Sequence, residues 1–330
     1  MNETVIDAVS KYRQTEEVIH KMTKRALGKS FEHFSCKELA GGLCNAVYLI
    51  EADNRKMVLK IAPEADVLMM RHERDVVKTE ARMLKLFEEK LHIPAPRLIY
   101  FDMSCSVCDV PYFFMSFIEG TPLNNLTPWP EEAKVYEIKR EVGKICKQIC
   151  SIPGDYFGIP AIPETHVENN CDFILTLVKM LLRDALDKQI EVPGMKGEEL
   201  LGLIESQREV LNEVIHPCLI HTDTWNGNLM IKDNRLMGLI DYAAMLYGDP
   251  LMTHDFHDFS KEPGKAFCEG FGKTSFTEKE QIRISIYKIW HRLGMIVERG
   301  YRNYIDPDLY SWVHGEYTNE LEHFLKLIRR

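Results

Sequence analysis

No stretch of this chain approaches the roughly 18 consecutive apolar residues that a membrane-spanning helix requires, which excludes a transmembrane reading. Basic residues are scarcer than acidic ones. The 41 Lys and Arg against 50 Asp and Glu leave a net charge of -9, which argues against nucleic acid or an anionic membrane surface as the main partner. Cysteine spacing shows no framework. The one Cys-x-x-Cys, Cys105 to Cys108, lacks a second pair to complete a zinc site, so reduced thiols in a cytosolic protein are expected. No internal repeat or low-complexity tract divides the 330 residues, and by length about two domains of roughly 150 residues each are expected. The first residues mix charges (Glu3, Asp7, Lys11, Arg13, Glu16, Glu17) rather than forming an apolar leader, and a cytoplasmic location is expected.

What stands out is a polar run inside apolar sequence: Leu219-Ile220-His221-Thr222-Asp223-Thr224-Trp225-Asn226-Gly227-Asn228-Leu229-Met230-Ile231, with Ile240-Asp241-Tyr242 a short distance on. A hydroxyl that attacks the γ-phosphate of ATP needs a carboxylate beside it, and Mg²⁺ needs oxygen ligands that hold it on the phosphates. Asp223 fits the first role, and Asn228 and Asp241 fit the second. The segment between Asn228 and Asp241 reads as two apolar strands around a polar turn, Lys232 to Arg235, so the chain returns and Asp241 ends close to Asn228.

Upstream, residues 1 to about 30 read as amphipathic helix ending near Gly28. Residues 31–118 read as a predominantly β nucleotide-binding lobe, with strands near 36–39, 46–51, 57–61, 97–101 and 112–117. Gly41 and Gly42 form a turn whose bare backbone lets amides approach phosphate oxygens, although a Gly-Gly pair is also an ordinary turn. Lys60 lies in the apolar strand Val58-Leu59-Lys60-Ile61-Ala62, where it is either an edge-strand lysine facing water or a cation for the α- and β-phosphates. The second reading needs a carboxylate to fix the ammonium. Glu80 and Glu73 are the candidates, and Glu80 is preferred from its spacing to the Ile93-Pro94 helix stop. ATP is expected between the lobes with adenine on backbone groups near Ser116 to Ile118. Residues 119–330 read as mainly helical, with helices near 131–149, 171–187, 198–214 and 279–302.

With these residues in order, the chain resembles the aminoglycoside phosphotransferase and choline kinase family, small-molecule relatives of the protein kinases, over roughly residues 35–325. The family's His-Gly-Asp with a following Asn is matched by His221-Thr222-Asp223 and Asn228, threonine standing in place of glycine. Its metal aspartate is matched by Asp241 and its Gly-Asp-Pro signature by Gly248-Asp249-Pro250. The resemblance implies an α+β, protein-kinase-like two-lobe fold and transfer of the ATP γ-phosphate to a small hydroxylated molecule. Asp223 would orient or deprotonate the acceptor, Asn228 and Asp241 would bind Mg²⁺, Lys60 with Glu80 would hold phosphate, and His221 would support the loop. Because an ordinary carboxylate with a pKa of about 4 is a poor base for an alcohol, Asp223 is expected to act more as an orienting group.

An aminoglycoside or other amino sugar is the first guess for the acceptor, since Asp241 to Gly272 carries Asp241, Asp249, Asp255, Asp258, Glu262 and Glu269 against Lys261 and Lys265. An endogenous alcohol such as choline or an amino acid is the alternative, and a non-catalytic nucleotide-binding protein is the third. A protein kinase is disfavoured, because no Arg follows His221, Tyr242-Ala243 follow Asp241, and no activation-segment triplet lies downstream. Ala62-Pro63-Glu64 precedes the loop and is chance. Gly272-Lys273-Thr274 lacks the upstream glycine of a P-loop, Phe267 standing there, and reads as a surface turn. The cluster Thr253 to Asp258 has metal-ligand residue types without a shared face and reads as structural or acceptor-lining. Trp290 and His291 read as core, and Trp225 either packs the loop or touches the acceptor.

Overall fold

The computed structural model describes residues 8–40, 44–302 and 307–329. Strands β1 (Phe34–Glu38), β2 (Ala46–Ala52), β3 (Arg55–Ile61), β4 (Leu98–Asp102) and β5 (Tyr112–Ser116) form one antiparallel sheet in the order β1-β2-β3-β5-β4. Side-chain alternation divides β3 between two cores. Met57, Leu59 and Ile61 meet Ile19 and Met22 of α1 (Glu16–Leu27), while Val58 packs with Val77, Ala81, Leu84 and Phe87 of α2 (Val76–Lys90). Lys60 shares the Val58 face. It lies in the middle strand of five and is 6% exposed, so the edge-strand reading of this lysine does not hold.

Helix α1 begins at Thr15, whose hydroxyl accepts from the Val18 amide, and ends where Gly28 adopts φ 64°. Gly41 and Gly42 lie outside the described residues.

The second lobe holds α3 (Glu132–Ile149), α4 (Asn170–Asp187), α5 (Gly197–Glu205), α6 (Arg208–Leu211), α7 (Gly264–Phe271), α8 (Glu278–Arg302) and α9 (Pro307–Ile328). The helix expected over 198–214 is broken. Gln207 leaves helical backbone at φ -98°, ψ 20°, and the Ser206 hydroxyl donates back to the Leu203 carbonyl. Helices α7 and α9 had no counterpart in the sequence reading. Helices α3 and α7 touch at the backbone: a Cβ on Gly143 would overlap the Phe267 carbonyl, and one on Gly270 would overlap the Arg140 carbonyl.

Two small antiparallel units lie between the helices and the first lobe. They are β7 (Cys218–His221) with β10 (Met245–Gly248), and β6 (Thr121–Pro122) with β8 (Leu229–Lys232) and β9 (Arg235–Leu239). Asp233 and Asn234 connect β8 to β9 at φ 53° and 57°, the left-handed pair that a two-residue hairpin turn favours. Leu229 pairs with Leu239 and the Ile240 amide donates to the Asn228 carbonyl at 3.0 Å. Asp241 is thereby delivered beside Asn228, as the hairpin reading of the sequence expected.

Candidate active site

A cavity of about 690 Å³ opens between the lobes. Val47, Val58, Met115, Ile118, Met230 and Ile240 give it an apolar part, suited to a flat ring. Lys60, Asp223, Asn228 and Asp241 line it further along, together with Glu73, Glu298 and Arg302.

β3 carries Lys60 into the cavity wall, and α2 brings Glu80 against it. Lys60 Nζ donates to Glu80 Oε2 at 2.7 Å and Oε1 at 2.9 Å, and to Asp241 Oδ1 at 3.0 Å. Burial works against charge on this ammonium, yet Asp241 and Glu80 raise its pKa above the ordinary lysine value. Glu80 is fully buried and also accepts from the Tyr242 amide at 3.2 Å, so it holds the residue after Asp241 as well. Glu73, the other candidate partner, pairs instead with Arg302.

Asp223 stands at the end of β7 in the loop that leads into a short 3-10 turn, Asn226–Asn228. Asn228 Nδ2 donates to the Asp223 carboxylate and to its main-chain carbonyl, each at 2.8 Å. Burial, then the neighbouring Asp241 charge, pushes the Asp223 carboxyl up to about 7 against the opposing Asn228 bond. That lies above the ordinary carboxylate value of about 4 taken in the sequence reading. His221 is buried and its Nδ1 accepts from the Asp223 amide at 3.3 Å; burial lowers its pKa to about 4, so a neutral ring braces the loop. Thr222 is not among the residues with positive φ, which explains how threonine fits where glycine is usual, and its hydroxyl donates to the Ala244 carbonyl at 2.7 Å.

The Asn228 amide oxygen and the Asp241 carboxylate are hard donors on one wall of the cavity. Such a pair suits Mg²⁺, which takes one or two protein oxygens and fills its octahedron with waters and phosphates. Among the described residues no group of three or more His, Cys, Asp or Glu is placed to hold a metal ion, the cluster 254–258 included.

Ile118 and Ser116 both line the cavity. The Ser116 amide donates to the Arg97 carbonyl and its hydroxyl accepts from the Arg97 amide, each at 2.9 Å. Trp225 is 45% exposed at the cavity, and its ring lies so close over Gly227 that any Cβ there would overlap it.

One part of the site escaped the sequence reading. Lys139 of α3 is buried and donates to Asp255 Oδ1 at 2.7 Å, and Asp255 also accepts from the hydroxyl of Thr224, the neighbour of Asp223. Asp255 comes from the cluster read as structural or acceptor-lining; it lies behind the catalytic loop and does not line the cavity. Asp249 of the Gly-Asp-Pro signature is likewise structural, accepting from Arg283 Nε and the Tyr287 hydroxyl of α8, both at 2.9 Å. His257 packs among His254 and His291 with ring centroids 5.4 to 5.5 Å away; Trp290 is buried in the core as read, whereas His291 is half-buried.

The model of the Phosphotransferase enzyme family matches residues 35–271 of this chain. A protein-ribulosamine 3-kinase of the Arabidopsis thaliana chloroplast is 30% identical over 103 residues, a match spanning 28% of this chain and 28% of that relative. Among solved structures, a candidate fructosamine-3-kinase from Haemophilus somnus superposes with a TM-score of 0.68 at 15% identity, covering 93% of this chain and 96% of that one. The aminoglycoside phosphotransferase APH(2'')-IIa, in a ternary complex with streptomycin and ATP, superposes with a TM-score of 0.59 at 19% identity, covering 94% and 99%. These likenesses carry the two-lobe α+β, kinase-like fold.

Proposed function

The chain belongs to the phosphotransferase enzyme family, and we propose that it moves the γ-phosphate of ATP to a hydroxyl of a small amine-bearing molecule, an aminoglycoside or another sugar-derived amine. The observation that carries this reading is the convergence of Asp223, Asn228, Asp241 and the Lys60–Glu80 pair on one cavity wall.

In this reading Lys60, held by Glu80, binds phosphate oxygens, and the apolar stretch beside Ile118 takes the adenine ring. Asn228 and Asp241 would hold Mg²⁺, which would supply charge neutralisation on the phosphates. Asp223 receives the acceptor hydroxyl, orients its oxygen toward the γ-phosphate and takes its proton, leaving ADP and a phosphate ester. His221 and the Lys139–Asp255–Thr224 chain fix the loop, so that positioning rather than covalent chemistry provides the acceleration. The ribulosamine kinase likeness favours a sugar-derived amine over choline or an amino acid. A nucleotide-binding protein without transfer activity is disfavoured because the lysine, carboxylate and both metal-site candidates are all present.

The test is ADP release from Mg²⁺-ATP with a panel of aminoglycosides, ketosamines, choline, amino acids and sugars, beside Asp223→Ala. Acceptor-dependent release abolished by the substitution is expected. ATP binding with no acceptor-dependent release across the panel would overturn the proposal.

A further inference from the structure

Just ahead of α2, the first lobe is fastened to the second at the 3-10 turn Arg71–Glu73. Asp184 of α4 is 0% exposed, and both of its carboxylate oxygens are taken by one residue: Oδ2 accepts from the Arg71 amide at 3.0 Å, and Oδ1 from the Arg71 guanidinium. The Tyr301 hydroxyl of α8 lies 3.3 Å from the same Oδ1. Further along α4, Asp187 Oδ2 accepts from Arg71 Nη2 at 2.6 Å. Glu73 pairs with Arg302 of α8, and Arg74 pairs with Glu164 in the turn Pro163–Thr165.

These ion pairs differ in weight. Arg74 and Glu164 are both half exposed, and exposed pairs contribute little. Asp184 is another matter, because a buried carboxylate held by the amide and the guanidinium of one residue fixes that residue in place, and loss of the guanidinium would leave the charge underpaired. Arg71 does not line the cavity, so any effect it has on the site passes through other residues.

The route runs through α2. Only Arg74 and Asp75 separate the turn from the helix, and Asp75, at φ 58°, makes no side-chain cap to it. The start of α2 is therefore set by the clasp on Arg71 rather than by a cap of its own. Glu80 lies about 6 Å along the axis from Val76, at a rise of 1.5 Å per residue. Its bonds to Lys60, at 2.7 and 2.9 Å, tolerate little displacement of the helix that carries it.

We propose that Arg71 is a positioning residue for the phosphate-holding pair: clasped by Asp184 and Asp187 of the second lobe, it sets where α2 begins and thereby where Glu80 holds Lys60. The inference rests on the phosphotransferase reading in taking Lys60 as a phosphate ligand. It makes the helical lobe a determinant of nucleotide affinity through a residue that the nucleotide does not touch.

The experiment is a double-mutant cycle on the full chain, read as calorimetric affinity for the non-hydrolysable analogue AMP-PNP with Mg²⁺, with the thermal midpoint of each variant recorded beside it. Arg71→Met and Glu80→Gln should each weaken binding by about tenfold, and the double variant should be no more than about threefold weaker than Glu80→Gln alone, because residues acting through one another are non-additive. Asp187→Asn keeps the buried Asp184 pair and should weaken binding by about threefold in wild type and not at all beside Glu80→Gln; it carries the test if Arg71→Met fails to fold. Losses that multiply, to about a hundredfold for the double variant, overturn the proposal, as does an Arg71→Met protein with a lowered midpoint and unchanged affinity. A wild-type chain that binds no AMP-PNP would defeat the phosphotransferase reading and the inference with it.

Discussion

Asn228 Nδ2 lies 2.8 Å from Asp223 Oδ2, so the amide that faces the Asp223 carboxylate with its nitrogen keeps its oxygen for another partner. In the proposed reading one side chain would therefore both set the direction of Asp223 and offer a donor atom to a metal. Asn228→Ala should cost both. We expect acceptor-dependent turnover to fall by about 10² or more with the Mg²⁺ requirement shifted to higher concentration. A variant with normal turnover and normal Mg²⁺ dependence would show that Asn228 does neither.

Asp223→Asn keeps the shape of the side chain and removes its basicity. Acceptor-dependent ADP release should fall by about 10² to 10⁴, the range of general-base contributions, while ATP affinity measured by calorimetry stays near wild type. Unimpaired release would exclude Asp223 from proton transfer.

The buried Lys60–Glu80 pair predicts a stability effect separable from catalysis. Glu80→Ala leaves Lys60 with Asp241 alone and the Tyr242 amide without its acceptor, so urea unfolding should show a loss of about 3 kcal/mol. The KM for ATP should rise in parallel. A loss well under 1 kcal/mol would mean that the pair adds no net stability.

Much of this site was legible because its polar residues interrupt apolar sequence. Asp223 and Asn228 sit in a polar loop flanked by apolar strands, and the turn signal around Asp233-Asn234 indicated the return to Asp241. Lys60 was readable as an anomaly, but only the strand order shows that it is central rather than on an edge. The residues that escaped are those whose partners are far along the chain. Lys139 is one more lysine in an amphipathic helix until Asp255 arrives 116 residues later. Glu73, with candidate roles near Lys60, was claimed by Arg302 at a separation of 229 residues. No local pattern encodes such pairings, because local pattern reports which face a residue occupies, not what meets it there. The break between α5 and α6 was missed for a different reason: Ser206 and Gln207 are compatible with either a continuous helix or a turn.

Lys139 lends itself to a test of loop support. Lys139→Met leaves the Asp255 carboxylate buried without its cation and the Thr224 carbonyl without its donor, so kcat should drop while the KM for ATP changes little. Recovery of part of the loss in Lys139→Arg would separate loop positioning from a general loss of fold. Loss of kcat with no rescue, accompanied by a lowered unfolding midpoint, would assign Lys139 to stability alone.

His257 gives the pH dependence its sign. Burial, then the neighbouring His291 and His254, lower its pKa well below the ordinary value of about 6.5, and both of its ring nitrogens are unpartnered among the described residues. The unfolded chain therefore takes up the proton first. The stability that the neutral ring contributes is complete above about pH 6.5 and is lost on acidification, by at most about 1.4 kcal/mol per pH unit for the single group. His257→Leu should flatten the acid side of a plot of urea midpoint against pH, and an unchanged acid limb would place the sensitivity elsewhere.

The contact between Lys60 Nζ and Asp241 Oδ1, at 3.0 Å, also bears on the sequence of binding events. In the proposed reading, the lysine that would hold phosphate and the aspartate that would hold Mg²⁺ are therefore partners of one another. A bare cation would compete with that ammonium for Asp241, whereas nucleotide bringing its cation offers both partners something in exchange: phosphate for the lysine and the ion for the aspartate. Nucleotide and metal would then load more readily as one unit than separately.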